Sequence, residues 1–309
     1  MPLPPRPPPV PIDRLAVPRE AAGERLDRWL ARALALSPER ARRLVESGDA
    51  RIRGKLCSPV RKLFGGEEVE VRRPALPAEP ATGPELPVLY DDADCLVVDK
   101  PADLAVEPAT PAAPAVVTAA RRLGAFDVDG RATPGLPHRL DRDTTGALLL
   151  ARHDLALAAL REAFAAGGVE KRYLALVAGA PPDERTLDTA YGRDPSDARR
   201  FTTRVSSPRR ARLSFRVEER LTGAALLAVH LDTGRTHQIR VQLAEAGYPV
   251  LGDAVYGLAS PVIGRQALHA HRLVFPRPSD GRKIHAVAPV PADLAAALAA
   301  LREPSARSS

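Results

Sequence analysis

The sequence predicts an α+β protein made of a small unit followed by a larger domain. In residues 87–303, strand-like and helix-like segments follow each other in irregular order, which is typical of an α+β sheet and not of a regular βαβ repeat. Residues 19–73 show the order helix, capped helix, small hairpin and strand. Residues 74–86 are rich in proline, alanine and glutamate, and this composition indicates a linker.

Both ends of the chain predict disorder. Residues 1–18 begin MPLPPRPPPVP, a run that favours extended polyproline conformations and lacks apolar content for a core, and residues 304–309 predict a disordered tail. The N-terminus lacks the pattern of a signal peptide, and no run of about 18 apolar residues is present for a membrane span. We therefore expect a cytoplasmic protein without a membrane segment.

Helix and turn signals define the small unit. Apolar residues recur at helical spacing in residues 26–34. Ser37 as N-cap, Pro38 at the first helical position and Gly48 just past the end indicate a second helix. Strands are predicted in ARIR and KLC, with a turn at Gly54, and then in the alternating EEVEVR.

The larger domain mixes strand and helix patterns. Strands are predicted in VLYDD, CLVVDK, ALLLAR, RYLALVAG and ALLAVHL, and helices in 153–167 and 292–303. These segments are long and apolar enough to form one substantial core.

The charge balance indicates a polyanionic partner. Lysine plus arginine number 45 against 38 acids, giving a net charge of +7, which fits nucleic acid. A bias towards arginine in the composition is the alternative explanation. Cys57 and Cys95 form no CxxC pair, so they indicate neither a zinc site nor a disulfide framework.

An unusual carboxylate stands at the start of a predicted strand. In HRLDRDTTG, Asp141 lies between Arg139 and Arg142, and Asp143 follows two places on. The stretch is either a charged turn or a carboxylate kept ionised for chemistry, and residue chemistry alone does not separate Asp141 from Asp143. Three other segments accompany it: DCLVVDKPADL, EKRYLALVAG and DTGRTHQIRVQLAEAGYPVLGDAVYG.

These segments, in this order, resemble the RluA-type pseudouridine synthases, whose signatures are HRLD with a following D-T-T-G, and GRTHQIR. The resemblance covers essentially the whole larger domain. It implies the pseudouridine synthase fold, a mixed and largely antiparallel sheet with a central cleft. It also implies an isomerase that converts uridines in structured RNA, in large-subunit ribosomal RNA for the branch that carries an RNA-binding module. Asp103, Glu107 and Gln242 depart from residues that are usual in the family.

The resemblance assigns the chemistry to a few residues. Making pseudouridine breaks the bond between base and ribose and rejoins the base through a ring carbon, so an ionised acid is needed beside the sugar. The resemblance gives this role to Asp141, either by direct attack on the ribose or by removal of a ribose proton. Arg240 keeps the acid charged, Tyr173 packs on the flipped uracil, and Arg139 acts against the displaced base. Since the reaction is redox-neutral, we expect no cofactor and no metal.

Residues 19–73 resemble an S-four-type RNA-binding module, carried by ERLDRWLARAL, SPERARRLVESG, ARIRGK and LFGGEEVEV. RIRGK stands where that family usually has an Asn-Gly-Lys turn. A second basic stretch lies in residues 193–220, where a solvated hairpin is the alternative to a phosphate-binding arm. Besides Arg139, the predicted RNA contacts are His138, Arg28, Arg40, Arg43, Arg53, Lys55, Arg200 and Arg210.

Alternatives remain for substrate and function. The RNA is ribosomal or, alternatively, transfer RNA, and we expect a monomer. One rival is a catalytically silent RNA-binding factor for ribosome assembly, and another is a metal-dependent RNA hydrolase that uses His237, His269, His271 and His285. We interpret His237 as a structural hydrogen-bonding residue and not as a base, and a structural role is also the alternative for His138.

Overall fold

The computed structural model describes residues 12–72, 81–110, 113–257 and 259–302. Its small unit packs two helices on an antiparallel sheet whose strand order is β1-β4-β2-β3. A 3₁₀ turn at Arg19–Ala21 precedes the helices. The elements are β1 (Ile12–Ala16), α1 (Leu26–Ala33), α2 (Pro38–Glu46), β2 (Ala50–Ile52), β3 (Lys55–Leu56) and β4 (Glu68–Arg72).

Local sequence signals explain the second helix. The Ser37 hydroxyl accepts a hydrogen bond from the backbone N–H of Arg40 at 3.2 Å, and Pro38 occupies the first helical position. The first N–H groups of a helix have no partner within the helix. The Ser37 hydroxyl satisfies one of them, and Pro38 has no N–H group to satisfy. Ala41 and Val45 then face the core of the small unit, where both are buried.

The predicted leader of residues 1–18 is wrong for residues 12–18, because the chain there belongs to the small unit. Strand β1 pairs with β4 in the register Ile12↔Arg72 to Ala16↔Glu68, and Val17 is buried in the core. The alternating IDRLA forms an edge strand with one half-buried face, a weak signal directly after a proline-rich run. Residues 1–11 lie outside the described residues, as does the predicted tail of 304–309.

The predicted linker of 74–86 is also shorter than expected. Residues 73–80 lie outside the described residues, but Leu86 is buried in the core of the larger domain. The Thr118 hydroxyl donates to the Thr82 carbonyl at 3.1 Å, and Arg122 donates to the Gly83 carbonyl at 2.8 Å. Residues 82–86 therefore lie on the larger domain, held by backbone carbonyls that composition does not reveal.

Two ion-paired arginines of α2 join the small unit to the larger domain. Arg40 bridges Asp127 at 2.6 Å and Asp154 at 3.3 Å, and the Ser37 N–H donates to Asp154 at 3.2 Å. Arg43 pairs with Asp129 at 2.8 Å. The start of α2 is therefore docked against the larger domain.

One mixed sheet forms the centre of the larger domain. Within the described ranges it has nine strands in the order β5-β6-β7-β14-β8-β13-β12-β9, and β15 pairs with β14. Among the pairings between the described strands of this sheet, only β7–β14 is parallel, so the predicted mixed, largely antiparallel sheet is confirmed. The strands are β5 (Val88–Asp91), β6 (Cys95–Lys100), β7 (Thr145–Ala151), β8 (Glu170–Ala178), β9 (Glu184–Ala190), β10 (Gly192–Arg193), β11 (Phe201–Thr202), β12 (Arg210–Leu221), β13 (Ala224–Leu231), β14 (Leu268–Pro276) and β15 (Lys283–Val287), with β10 and β11 forming a separate hairpin.

Helices and apolar side chains cover the sheet on both faces. Two separate clusters of buried residues flank the strands, one containing Tyr173 and Ile239 and the other Leu149 and Leu160. None of the helices in the described ranges is long and apolar enough to cross a membrane. The helices are α3 (Val116–Ala119), continued by a 3₁₀ turn at Ala120–Leu123, α4 (Asp154–Ala165), α5 (Gln238–Glu245) and α6 (Ala292–Arg302).

The glycine of the DTTG motif allows the parallel pairing. Gly146 has a φ of 111°, and a Cβ built there would lie 2.3 Å from the carbonyl oxygen of Ala270 on β14. A side chain at this position would push β7 away from β14. The motif thus brings the end of the HRLD turn close against the middle of the sheet.

Candidate active site

A carboxylate and an arginine from distant segments meet beside the sheet. Asp141 lies in the turn before β7, and Arg240 lies in the first turn of α5. The Arg240 Nη1 atom donates to Asp141 Oδ2 at 2.9 Å. The Asp141 side chain is 23% exposed, whereas that of Arg240 is 5% exposed. The structure therefore places a partly exposed acid against a buried cation.

A second carboxylate, Asp253, holds the arginine in place. Arg240 Nε donates to Asp253 Oδ2 at 2.6 Å, and Nη2 donates to Oδ1 at 2.8 Å, a bidentate pair. Asp253 also accepts from the N–H groups of Val255 at 2.9 Å and Tyr256 at 3.1 Å, and its side chain is fully buried. Sequence analysis missed this residue, although it stands in the quoted segment GYPVLGDAVYG.

Close packing behind the turn fixes Asp253. Gly252 has a φ of 70°, and a Cβ there would lie 2.1 Å from the carbonyl oxygen of Arg265. Only glycine adopts this geometry without displacing the neighbouring loop. The sequence carries no local signal for this role of Asp253, because its pairing with Arg240 arises from tertiary packing.

The charges of this group support each other. Burial works against the charge of Arg240, but the hydrogen bonds and charge of Asp253, with the charge of Asp141, outweigh it and raise the pKa of Arg240. Burial likewise opposes ionisation of Asp253, but Arg240 lowers its pKa below the ordinary value. One buried guanidinium thus pairs with two carboxylates, the fully buried Asp253 and the partly exposed Asp141.

Tyr173 lies on β8 within the same region. The side chain is buried, and the residue pairs with Val229 on β13. Burial raises the pKa of its phenol, and the nearby negative charge of Asp141 raises it further. The hydroxyl therefore stays protonated at neutral pH and can serve as a hydrogen-bond donor next to Asp141.

A buried lysine fixes the turn that carries Asp141. The Lys100 ammonium group donates to the carbonyls of Pro101 at 2.7 Å, Leu104 at 2.8 Å and Arg142 at 2.6 Å. Burial lowers its pKa to about 8, although the charge of Asp143 opposes this effect. The contact with Arg142 joins the KPADL loop to the turn next to Asp141.

The departures from the family pattern have local partners. Asp103 has a φ of 56° where glycine is usual, and its carboxylate accepts from Arg142 Nε at 2.9 Å. Gln242 is buried and donates to the Thr189 hydroxyl at 2.9 Å and to the Ala211 carbonyl at 3.0 Å. Gln242 therefore ties α5 to β9 and β12. Glu107 is exposed.

Most residues predicted to contact RNA lie at the protein surface, whereas three are partly or largely buried. Arg139 has no hydrogen-bond or ion-pair partner within the described part of the chain. Arg200 is half-buried over the ring of Tyr256. The exposed members are Arg28, Arg43, Arg53, Lys55, Arg139 and Arg210, of which Arg43 pairs with Glu39 and Asp129 and Arg210 with Asp188.

Two of the residues predicted to contact RNA have partners within the protein. The Arg40 guanidinium is largely buried between Asp127 and Asp154, so it joins the two units of the protein. His138 Nε2 accepts from the backbone N–H of Leu149 at 2.9 Å, and its ring stacks on Phe164 with centroids 4.9 Å apart. His138 is therefore a structural residue that links the HRLD turn to β7.

His138 makes stability depend on pH. Burial, and then the charge of Lys171, lower the pKa of His138 to about 3. The unfolded chain, with a histidine pKa near 6.5, binds one more proton between these values. The contribution of neutral His138 to the stability of the folded protein is fully present above about pH 6.5 and is lost as the pH falls towards 3. In the wild type, the unfolding free energy should decrease as the pH falls from about 6.5 towards 3. We expect His138→Gln to make the slope of this decrease smaller by up to about 1.4 kcal/mol per pH unit.

Urea unfolding between pH 4 and 7 measures this slope. His285→Gln is the matched control because His285 is exposed on β15. An unchanged slope in His138→Gln would show that His138 is not held neutral by the fold.

The other histidines have protein partners. His269 Nδ1 lies 2.9 Å from the Thr145 hydroxyl, and His271 Nδ1 lies 2.9 Å from the Ala288 carbonyl. In the ranges that the structure describes, no group of three histidine, cysteine, aspartate or glutamate side chains is arranged to hold a metal ion.

Comparison with known proteins gives the family. Residues 94–245 match the family model of RNA pseudouridylate synthase. The chain is 38% identical over 315 residues to the ribosomal large subunit pseudouridine synthase D of Xanthomonas campestris pv. campestris, covering 96% of this chain and 94% of the relative. It is 37% identical over 313 residues to the protein of the same name from Xylella fastidiosa, covering 94% of this chain and 92% of the relative.

A solved structure gives the same answer. The human RNA pseudouridylate synthase domain containing 1 superposes with a TM-score of 0.56 at 26% identity, covering 73% of this chain and 99% of that one. The match residues 94–245 include Asp141, Tyr173 and Arg240. With relatives this similar along nearly its whole length, the chain belongs to the RNA pseudouridylate synthase family, of the RluA type.

Proposed function

We propose that this protein isomerises specific uridines to pseudouridine in large-subunit ribosomal RNA, with Asp141 as the catalytic carboxylate. The observation that carries the proposal is the pairing of a partly exposed Asp141 with the buried Arg240, itself clamped by Asp253. The names of the curated relatives support the ribosomal target. We expect a monomer that acts in the cytoplasm.

The two oxygens of Asp141 differ in a way that suits this chemistry. Oδ2 accepts from Arg240, while Oδ1 accepts no hydrogen bond from the described residues. The side chain is 23% exposed. Oδ1 is therefore the atom that attacks the ribose carbon or takes a ribose proton. In direct attack, Oδ1 displaces the base nitrogen from the ribose carbon, and C5 of the turned base then displaces Oδ1. In the other route, the ribose proton that Oδ1 removes returns to the sugar when C5 bonds to it. In both routes C5 finally loses its own proton and the freed base nitrogen takes one up.

The protein environment supports each stage. The Arg240 Nη1–H group donates to Asp141 Oδ2 and so orients the carboxylate. The buried Tyr173 offers a ring on which the freed base can stack and a hydroxyl that donates a hydrogen bond. Arg139, exposed and without a protein partner among the described residues, can occupy the space that the flipped uridine leaves.

Release of the hydrogen at uracil C5 tests this function. Uridine labelled with tritium at C5 loses the label to water when C5 becomes the attachment carbon. We expect release from transcripts of large-subunit ribosomal RNA and none from a transfer RNA mixture. Release from transfer RNA alone would overturn the ribosomal target, and release from neither RNA would favour the silent binding factor.

The small unit supplies a second prediction. Arg53 and Lys55 are exposed on the hairpin of β2 and β3, which we propose contacts RNA phosphates. The logarithm of the RNA association constant falls linearly with the logarithm of the salt concentration. Replacing both residues by alanine should make this negative slope less steep by about 0.7 to 0.9 per lost phosphate contact. The control is Arg302→Ala, whose guanidinium is already neutralised by Glu219. Equal slopes for the double variant and the wild type would remove these residues from the RNA interface.

A further inference from the structure

A chain of polar contacts runs from a surface arm to the catalytic carboxylate. We name residues 191–209, between β9 and β12, the arm. The arm's Phe201 N–H donates to the Tyr256 hydroxyl at 2.9 Å, and that hydroxyl lies 3.0 Å from His237 Nδ1. On the other side of the ring, His237 Nε2 lies 3.9 Å from Asp141 Oδ1. Neither Tyr256 nor Phe201 entered the sequence prediction, and His237 was interpreted as structural.

The direction of the protons follows from these contacts. The Tyr256 hydroxyl accepts from Phe201, so its own proton is available for His237 Nδ1. An imidazole whose Nδ1 accepts a hydrogen bond carries its proton on Nε2 when neutral. The Nε2–H group of His237 therefore points towards Asp141 Oδ1, the oxygen that Arg240 leaves free.

The backbone of His237 has an uncommon, left-handed conformation. It occupies the N-cap of α5 with a φ of 57° and makes no side-chain cap hydrogen bond. Left-handed backbone in a non-glycine residue carries strain that the surrounding structure must compensate. The ring is instead fixed by Tyr256 and by an edge contact with Phe201, whose centroid lies 6.0 Å away.

The same chain anchors the arm. Arg193 lies over the Phe201 ring at 4.7 Å, and Arg200 lies over the Tyr256 ring at 5.2 Å. Glu245 of α5 also accepts hydrogen bonds from the arm's Thr202 hydroxyl and Thr203 N–H. RNA phosphates bound by the arm's exposed arginines would therefore affect the positions of Phe201 and Tyr256.

We propose that His237 is a positioning residue that donates its Nε2–H to Asp141 Oδ1 in the RNA complex. Through Tyr256, which is bonded to Phe201, this contact depends on the position of the arm. This proposal rests on the proposed function. A movement of about 1 Å brings the 3.9 Å separation to hydrogen-bond distance. Both carboxylate oxygens are then oriented, and a lone pair of Oδ1 remains for the sugar.

Two substitutions at one position separate this role from a structural one. His237→Asn keeps a residue that tolerates left-handed backbone and an oxygen that can accept from Tyr256, but its amide is too short to reach Asp141. His237→Gln is long enough to place an N–H donor near the position of Nε2. The control is His230→Asn, because His230 is partly exposed on β13 and its ion-pair partner is Asp232.

The experiment measures single-turnover pseudouridine formation and RNA affinity, using transcribed large-subunit ribosomal RNA. In His237→Asn we expect the rate at saturating RNA to fall roughly 10- to 100-fold, with Kd unchanged within about twofold. His237→Gln should retain more of the rate than His237→Asn, and Tyr256→Phe should lower the rate without weakening binding. Thermal unfolding of each variant checks the fold.

Each result decides the proposal. A wild-type rate in His237→Asn, an equal loss in His237→Gln and His237→Asn, or a loss explained by weaker RNA binding would overturn it. If His237→Asn fails to fold, Tyr256→Phe decides, and an unchanged rate in that variant overturns the proposal. Absence of activity in the wild type would instead overturn the proposed function.

Discussion

Replacing Asp141 by asparagine is expected to lower pseudouridine formation at least about 1,000-fold while leaving RNA binding intact. Asparagine has the same shape, but it offers neither a nucleophilic oxygen nor a base. The fold should persist, because Arg240 keeps its bidentate pair with Asp253. Release of tritium from C5 measures the activity, and filter binding measures RNA affinity.

Asp143→Asn is the matched control for this prediction. Asp143 lies two positions away in the same turn, but its contact with Arg265 uses the backbone carbonyl and not the carboxylate. We expect this variant to retain activity. Activity in Asp141→Asn together with loss in Asp143→Asn would move the catalytic role to Asp143.

Replacing Asp253 by alanine is expected to cost about 3 to 5 kcal/mol of unfolding free energy. The substitution leaves the Arg240 guanidinium, only 5% exposed, with Asp141 as its remaining acid partner. It also removes the acceptor of the Val255 and Tyr256 N–H groups. Activity should fall as well, because Arg240 is no longer held against Asp141.

Urea denaturation with a matched surface variant measures the cost. Asp183→Ala also breaks an aspartate–arginine pair, but Asp183 is 88% exposed, so the loss there should stay below about 1 kcal/mol. Equal losses in Asp183→Ala and Asp253→Ala would contradict the view that the buried pair anchors the site.

Local and ordered signals explain what the sequence predicted well. The Ser37–Pro38 pair marks the start of α2, because helix caps depend on adjacent residues. The α+β class follows from alternating and apolar segments, and the structure shows the mixed sheet. Residue chemistry alone left Asp141 and Asp143 undecided; the family resemblance selected Asp141, and the structure pairs that residue with Arg240.

Long-range contacts explain what the sequence did not predict. Arg40 was assigned to RNA through the resemblance of the small unit to an RNA-binding module, but its partners Asp127 and Asp154 lie more than 80 positions away. The role of Asp253 depends on a helix that precedes it, and the short edge strand β1 forms only by pairing with β4. Such contacts are set by tertiary packing, which residue spacing does not encode.

The most direct test of the account is pseudouridine mapping of ribosomal RNA from cells that lack this protein, rescued with the wild type or with Asp141→Asn. The account predicts that discrete large-subunit sites disappear, return with the wild type and stay absent with Asp141→Asn. Equal restoration by both proteins would contradict the role of Asp141, and an unchanged map in the deficient cells would contradict the ribosomal target.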